Sequence, residues 1–466
     1  MIPSEIFLST MRDCAGFSVS AFVDAHANDA VVSIRANASK FEYASASIEQ
    51  SLLTASDGIF ADENLAGSVA WCENAFYLKQ RPSFTLDPLV HTGAYYVQEA
   101  SSMFIHYGLS TILAEQRNLK ALDLCAAPGG KTTLLASLPH FRLVLANEII
   151  QSRVQALYEN VVKWGASHVF VSNNDPEDFN NLEGFFDVAL IDAPCSGSGL
   201  FRKDSDTSRM WNPDLVDFCS ARQKRILTDG TKALAANGVL VYSTCSYSIE
   251  ENERNLDFLM RDGEYESIQI SIDRSWGVIE TESPVHHAFG YRFYPDKLSG
   301  EGFFCAFLRK RTGGYFTHPE VSQKKGVDTH FDFLNKWINP AMEMTYSTYD
   351  KDVFVVDTIN KEDVQLLQRI LTIRKSGIRI GSLLRNDIIP DHELAMSTLY
   401  SSEIRTVELD KEQALKYLRK DDFSYDITEL GWILLTYKGI TMGWIKALSG
   451  RVNNYYPMKW RILMRK

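Results

Sequence analysis

Between residues 119 and 310 short apolar runs alternate with stretches whose apolar residues recur at helical spacing. The runs are Ala121-Leu122-Asp123-Leu124, Leu143-Val144-Leu145-Ala146, His168-Val169-Phe170-Val171, Asp187-Val188-Ala189-Leu190-Ile191 and Gly238-Val239-Leu240-Val241-Tyr242. Segments 151–164 and 213–236 between them carry the helical pattern. Continuous apolar runs separated by helices predict a parallel sheet covered on both faces. In such a sheet ligands gather outside the carboxyl ends of the strands, at the point where strand order reverses. A glycine-rich turn, Asp192 and Cys245 each follow a strand end, which predicts one shared crevice.

The flanking regions read differently. Residues 1–110 are a mixed α/β module, with a strand over Ala30-Val31-Val32-Ser33-Ile34-Arg35 and a turn at Thr85-Leu86-Asp87-Pro88. After the predicted catalytic unit (111–310), Arg311-Thr312-Gly313-Gly314 and the polar 315–329 read as a linker. A helical or mixed connecting unit is expected over 311–395, with Val364–Leu371 as its helix. The last unit, 396–466, is expected to be β-rich. Its Gly431–Gly439 and Met442–Lys446 segments form two strands around a glycine turn.

A length of 466 residues, 45% hydrophobic and 23% charged, implies several domains of a soluble globular protein. No run approaches a membrane span, and Met1-Ile2-Pro3-Ser4-Glu5 lacks the basic start of a secretory signal. The seven cysteines form no CxxC pair, so reduced thiols in a cytoplasmic protein are expected, with no metal site. The net charge of −11 argues against nucleic acid as a partner, but it is unevenly spread. Residues 311–466 sum to about +3 and the first 310 to about −14. From Leu430 onward there is no acid, while Lys438, Lys446, Arg451, Lys459, Arg461, Arg465 and Lys466 interleave with Trp432, Trp444, Tyr455, Tyr456 and Trp460. Bases among aromatics suit phosphate neutralisation and base stacking. The plainer alternative is a solvated edge of a β-domain.

Gly129-Gly130-Lys131-Thr132-Thr133 invites comparison with a nucleotide-binding P-loop. That loop requires glycine where Cys125 stands, and Pro128 removes an amide donor. Asp123, the glycine turn and Glu148 instead suit a cofactor with a ribose and an amino-acid tail. Asp175 and Asp192 add acids after the third and fourth runs. Four carboxylates in register favour a cationic, purine-bearing cofactor such as S-adenosylmethionine; singly, each is an ordinary turn residue.

Cys195 and Cys245 supply candidate nucleophiles, although a lone strand-end cysteine is usually inert. Carbon 5 of cytosine becomes nucleophilic once a thiolate adds to carbon 6, and a nearby carboxyl group supports that addition.

The residues Leu122-Asp123-Leu124-Cys125-Ala126-Ala127-Pro128-Gly129-Gly130-Lys131-Thr132, Asp192-Ala193-Pro194-Cys195-Ser196-Gly197-Ser198-Gly199 and Ser243-Thr244-Cys245-Ser246 resemble the signatures of the Sun family of RNA (cytosine-5) methyltransferases. The resemblance spans about 85–310. Val97–Met103 and Gly300–Phe304 match its flanking segments. It implies an α/β fold with a Rossmann-like class I methyltransferase core that uses S-adenosylmethionine and no metal. By the resemblance, Cys125, Ala126, Ala127, Pro128, Gly129, Gly130 and Lys131 hold the cofactor with Glu148, Arg153, Asp175 and Asp192. Cys245 is then the nucleophile and Cys195 the residue that releases methylated RNA; Asp192 faces the cytosine, with Lys131 beside it.

Ser33-Ile34-Arg35-Ala36-Asn37 resembles the family's N-terminal RNA-binding module. Gly443-Trp444, Asn453-Asn454, Tyr456-Pro457 and Arg461 resemble the PUA-like domain of the bacterial RsmF branch. The implied substrate is 16S rRNA near the decoding site, free or in the small subunit, acted on by a monomer. Alternatives are a tRNA or another RNA, a DNA cytosine-5 methyltransferase using Cys195, and a non-catalytic ribosome-assembly factor.

Overall fold

A computed structural model describes residues 4–43, 58–317, 332–385, 387–422 and 430–465. Most of the expected linker (318–331) and Lys466 lie outside the described residues.

The predicted runs form a parallel block: Leu119–Asp123, Phe141–Asn147, Val169–Ser172, Phe186–Asp192 and Leu234–Thr244. Leu119–Asp123 pairs with Phe141–Asn147 on one side and Phe186–Asp192 on the other, so strand order reverses there. Both strands at this switch point end in aspartate, Asp123 and Asp192. Phe186–Asp192 then pairs with Leu234–Thr244, placing Asp192 opposite Ser243. Phe303–Lys310 adds antiparallel to Leu234–Thr244 and extends the sheet, which has ten strands.

Burial on both faces explains the unbroken apolar runs. Val144, Val171, Val188 and Leu190 belong to the apolar cluster on one face, and Leu122, Leu145, Phe170 and Ile191 to that on the other. Fully burying one such side chain contributes about 1.5–3 kcal/mol. Gln151–Trp164 is helical as expected, but the second helix is Pro213–Gly230, not 213–236. Thr231–Ala233 forms one tight turn and the strand begins at Leu234, because Leu234 and Ala235 are buried in the sheet.

The region 311–395 is mixed. Besides the helix Lys361–Ile370 it holds a four-stranded antiparallel sheet, Met344–Tyr349, Asp352–Asp357, Ile378–Leu384 and Asp387–Pro390. Ile373–Lys375 also joins the edge of the central sheet beside Val169–Ser172. The helix buries Val364, Leu366 and Leu367 in the core of the central sheet.

The N-terminal module is a four-stranded sheet in the order Leu65–Ser68, Ala75–Leu78, Val32–Ala36, Tyr95–Val97. The C-terminal sheet comprises Thr406–Glu408, Gly431–Tyr437, Ile440–Leu448 and Arg451–Asn454. These two sheets share one apolar cluster, in which Ile34, Phe60 and Leu78 meet Tyr417, Leu418 and Ile433. The N- and C-terminal sheets are thus packed together. The aromatics interleaved with bases also divide: Trp444 and Tyr456 are core residues. Trp432 instead packs edge-on against exposed Tyr455, with Lys446 Nζ 4.9 Å from the Trp432 ring centre.

Candidate active site

The loop after Leu119–Asp123 is held from outside at nearly every residue. Ala126 N–H donates to Asn147 O (2.8 Å). Ala127 O accepts from Arg153 Nη2 (2.7 Å), and Pro128 O from Asn160 Nδ2 (2.8 Å). Gly129 has φ +113°, the left-handed region that favours glycine, and opens the helix Gly130–Ser137. A Cβ there would also sit 3.3 Å from Leu157 Cδ1. A rigid turn at a helix N-terminus suits close approach of a cofactor. Cys125 is half-buried, and burial followed by the charge of Asp123 pushes its thiol upward.

The four strand-end acids stand in different environments. Asp123 is fully buried: Oδ2 accepts from Thr132 Oγ1 (2.7 Å), while Oδ1 has no partner. Burial pushes its carboxyl up to about 7. Glu148 is also buried. Its Oε1 accepts from Ile150 N–H (2.8 Å), and its Oε2 lies 3.2 Å from Arg153 Nη1 without a hydrogen bond. Arg153 therefore ties Glu148 to the Ala127 carbonyl. Asp175 caps the turn Pro176–Leu182 through Glu177 N–H (3.1 Å) and pairs with Arg225 (3.1 Å). Any ligand at Asp175 competes with those partners. The buried oxygens of Asp123 and Glu148 that accept no hydrogen bond fit a ligand carrying hydroxyl or amine donors.

Asp192 is half-buried between Lys131 Nζ (2.8 Å) and Ser243 Oγ (2.7 Å). Burial opposes the charge on Lys131, but Asp192's attraction and hydrogen bond outweigh it and hold the ammonium above its ordinary value. Lys131 Nζ also lies 5.3 Å from the Phe303 ring centre.

Three residues beyond Asp192 and two beyond Ser243, the thiols of Cys195 and Cys245 meet at 3.1 Å. The hydrogen bond to Cys245, then burial, then the charges of Cys245 and Glu251 push the Cys195 thiol well up. Either sulfur can donate in this contact. Their turns touch directly: Gly199 N–H donates to Cys245 O (2.8 Å), and a Cβ at Gly199 would lie 2.7 Å from that oxygen. Among the described residues no group of three or more His, Cys, Asp or Glu side chains is arranged to hold a metal.

The residues that support this site are not marked in the sequence. Arg35 reads there only as part of an RNA-binding module, yet it is almost fully buried and unavailable to RNA. It donates to Gln98 Oε1 (3.0 Å), Thr133 Oγ1 (2.7 Å), Ser137 Oγ (3.2 Å) and Gly130 O (3.4 Å), with its Cζ 4.5 Å from the Trp164 ring centre. It joins the N-terminal sheet to the helix that starts at the cofactor loop. No local pattern marks an arginine for this task. Glu251 stands in the run Glu251-Asn252-Glu253; its contact with the Cys245 turn is local, through Ser246, but that with the Cys195 turn, through Ser196, is not.

Three family models match along the chain: the N-terminal domain of 16S rRNA methyltransferase RsmF over 2–100, 16S rRNA methyltransferase RsmB/F over 110–309, and the methyltransferase RsmF PUA domain over 404–462. Ribosomal RNA small subunit methyltransferase F of Vibrio atlanticus is 32% identical over 411 residues, with 84% of each chain covered. The protein of that name from Shewanella oneidensis is 30% identical over 412 residues, again with 84% of each covered. Among solved structures, a methyltransferase homolog protein from Pyrococcus horikoshii superposes with a TM-score of 0.54 at 27% identity, covering 66% of this chain and 95% of that one. The matches follow the chain in order from its N-terminal sheet through the thiol-bearing core to its C-terminal sheet, and the chain belongs to the RsmF family of 16S rRNA methyltransferases.

Proposed function

We propose that this protein methylates carbon 5 of a cytosine in 16S rRNA near the decoding site, in the cytoplasm and as a monomer, through a covalent Cys245–carbon 6 adduct. The observation that carries the reading is the contact of two thiols beside the Asp192–Lys131 pair at the sheet's switch point. S-adenosylmethionine, when bound, supplies the methyl group as a sulfonium electrophile. Residues 125–131 cradle it by their backbone, with Asp123 beneath them. Glu148 takes the ribose hydroxyls, positioned by Arg153, while Asp175 and Asp192 bound the adenine and methionine ends.

Cys245 attacks carbon 6 as the thiolate, and Asp192, charge-balanced by Lys131, manages the proton at ring nitrogen 3. Carbon 5 then takes the methyl group. For release, a base takes the carbon 5 proton and the electrons of that carbon–hydrogen bond restore the ring double bond. The electron pair of the carbon 6–sulfur bond leaves with Cys245 as its thiolate. Cys195, protonated and in contact with that sulfur, donates a hydrogen bond to the leaving thiolate. The C-terminal face bearing Trp432, Tyr455, Lys446, Lys459 and Arg461 is assigned to RNA backbone and bases.

The test uses labelled methyl transfer to 16S rRNA, with denaturing gels to detect protein–RNA adducts. Cys245→Ala should abolish transfer and adduct together. Cys195→Ala should attack and then remain attached. The reverse pattern would exchange the two roles, and transfer to DNA but not RNA would overturn the substrate.

A further inference from the structure

Behind the thiols lies a buried carboxylate that this chemistry does not use. Glu251 has no exposed surface. Its Oε1 accepts from Ser196 N–H (2.8 Å) and Gln223 Nε2 (3.0 Å). Its Oε2 accepts from Ser196 Oγ and Ser246 Oγ, both at 2.5 Å. Ser196 follows Cys195 and Ser246 follows Cys245, so one carboxylate grips the residue next to each thiol. Gln223 also donates to Pro194 O (3.0 Å), just before Cys195, and thereby ties the carboxylate to the helix Pro213–Gly230.

Four donors converge on two oxygens, and the two short contacts are charge-assisted. Burying a carboxylate this deep is costly unless hydrogen bonds compensate it, and both oxygens of Glu251 are supplied with donors. The turns are also linked by Gly199 N–H to Cys245 O, by Tyr247 N–H to Ser198 Oγ (2.9 Å), and by contacts of Ser246 Oγ with Ser196 Oγ (3.2 Å) and Ser198 Oγ (3.4 Å). The Glu251 carboxylate accepts from both hydroxyls of the Ser196–Ser246 contact. Glu251 is the link that reaches both thiol-adjacent residues through a single group.

We propose that Glu251 is the positioning residue of the thiol pair: it pins the Cys195 turn to the Cys245 turn and sets the sulfur–sulfur spacing on which release of the methylated product depends. This rests on the reading of Cys245 as nucleophile and Cys195 as the group that assists its departure. Attack needs Cys245 alone. Release needs the Cys195 S–H on the departing sulfur while the carbon 6–sulfur bond breaks. Loosened spacing therefore slows release more than attack.

Two readouts test it, one of them independent of RNA. Phenylarsine oxide bridges two thiols only when they are close, with loss of water, and its uptake is followed by mass against Cys195→Ser as the blank. Wild type should take up one equivalent across the pair. Glu251→Ala should lose that uptake and raise the ratio of trapped RNA adduct to turnover by about tenfold or more, since small misplacements carry costs of that size. Glu251→Gln keeps an acceptor for Ser196 N–H and an amide that can donate to the serine hydroxyls, so it should restore both readouts toward wild type. If Glu251→Ala does not fold, the Ser196→Ala/Ser246→Ala variant cuts the same two short bonds and is read identically. Unchanged arsenical uptake together with an unchanged adduct-to-turnover ratio overturns the role of Glu251. Absence of any adduct in Cys195→Ala overturns the assignment of the thiols instead, and the arsenical result still reports on the spacing.

Discussion

Lys40 offers a quantitative test of how the N-terminal module is joined to the rest of the chain. It lies in the helix Ala38–Tyr43 and is almost fully buried. Its ammonium donates to the carbonyl of Met396, the last residue of the helix His392–Met396. It also approaches Gly165, where a Cβ would lie 3.2 Å from Nζ. Burial lowers its ammonium from 10.5 to about 7. Between those values the unfolded chain binds a proton that the folded chain does not, so stability rises with pH. The contribution is complete above 10.5, is lost as pH falls toward 7 and is constant below that. The full displacement corresponds to roughly 4–5 kcal/mol, of which about 2 kcal/mol falls between pH 7 and pH 9. Lys40→Met removes the titration. Urea unfolding of both proteins at pH 7, 8 and 9 isolates Lys40 as their difference, because raised groups such as Cys72 and Tyr96 act equally in each. Wild type should gain about 2 kcal/mol on the variant over that range. Parallel pH dependences would show that Lys40 keeps its proton in the folded chain and would refute the reasoning.

Arg35→Leu should destabilise the protein by about 3–5 kcal/mol, since its buried acceptors are deprived of a charged donor. It should also weaken S-adenosylmethionine binding in calorimetry; a stability loss with unchanged binding would confine Arg35 to holding the N-terminal sheet. His392 is buried with both ring nitrogens unpartnered, and burial lowers its imidazole to about 3. The unfolded chain therefore takes up a proton below about 6.5 that the folded chain refuses, and stability is lost as pH falls. His392→Phe should gain roughly 2 kcal/mol on wild type between pH 7 and pH 5, read from urea midpoints; an equal loss in both proteins would refute this. Neutralising the exposed Lys459, Arg461 and Arg465 should reduce the salt slope of RNA binding by about 0.7–0.9 for each phosphate that is no longer neutralised. An unchanged slope would remove the C-terminal module from the interface.

The parallel block was legible because strands buried on both faces leave unbroken apolar runs, and Val188–Ile191 is an example with no exposed position. The antiparallel strand Met344–Tyr349 leaves no such trace, because none of its residues is fully buried. The helix Lys361–Ile370 carries the strong periodicity, and so it is the element of this region that the sequence makes readable. The overshoot at 231–236 has a similar cause. Ala233, Ala235 and Ala236 favour helix locally, but pairing within the sheet decides the conformation. Site residues that follow strand ends were readable from their order in the chain. Arg35 and Glu251 were not, because Arg35 reaches Thr133 and Glu251 reaches Ser196 across long stretches of chain and no spacing rule links them.

The Glu251-Asn252-Glu253 segment bears on the choice between RNA and DNA chemistry. A DNA-type enzyme would use Cys195 as nucleophile and want a Glu-Asn-Val element, whereas the sequence offers only Glu251-Asn252-Glu253. Here each side chain is engaged elsewhere. Glu251 holds the two serines, Asn252 accepts from Thr244 Oγ1 (2.6 Å) and donates to Ser246 O (2.8 Å), and Glu253 forms a buried ion pair with Arg292. None can turn toward a base without leaving a buried partner unsatisfied, a cost of several kcal/mol for charged groups. The carboxylate with solvent access beside the thiols is Asp192, already balanced by Lys131. Contact with Cys245 and burial push the Cys195 thiol upward, which accords with the proposed role of assisting a leaving thiolate. On the proposed division of labour, the buried framework behind the thiols places Cys195 against the sulfur that departs, and the adducts formed by Cys195→Ala and Cys245→Ala decide between the two assignments.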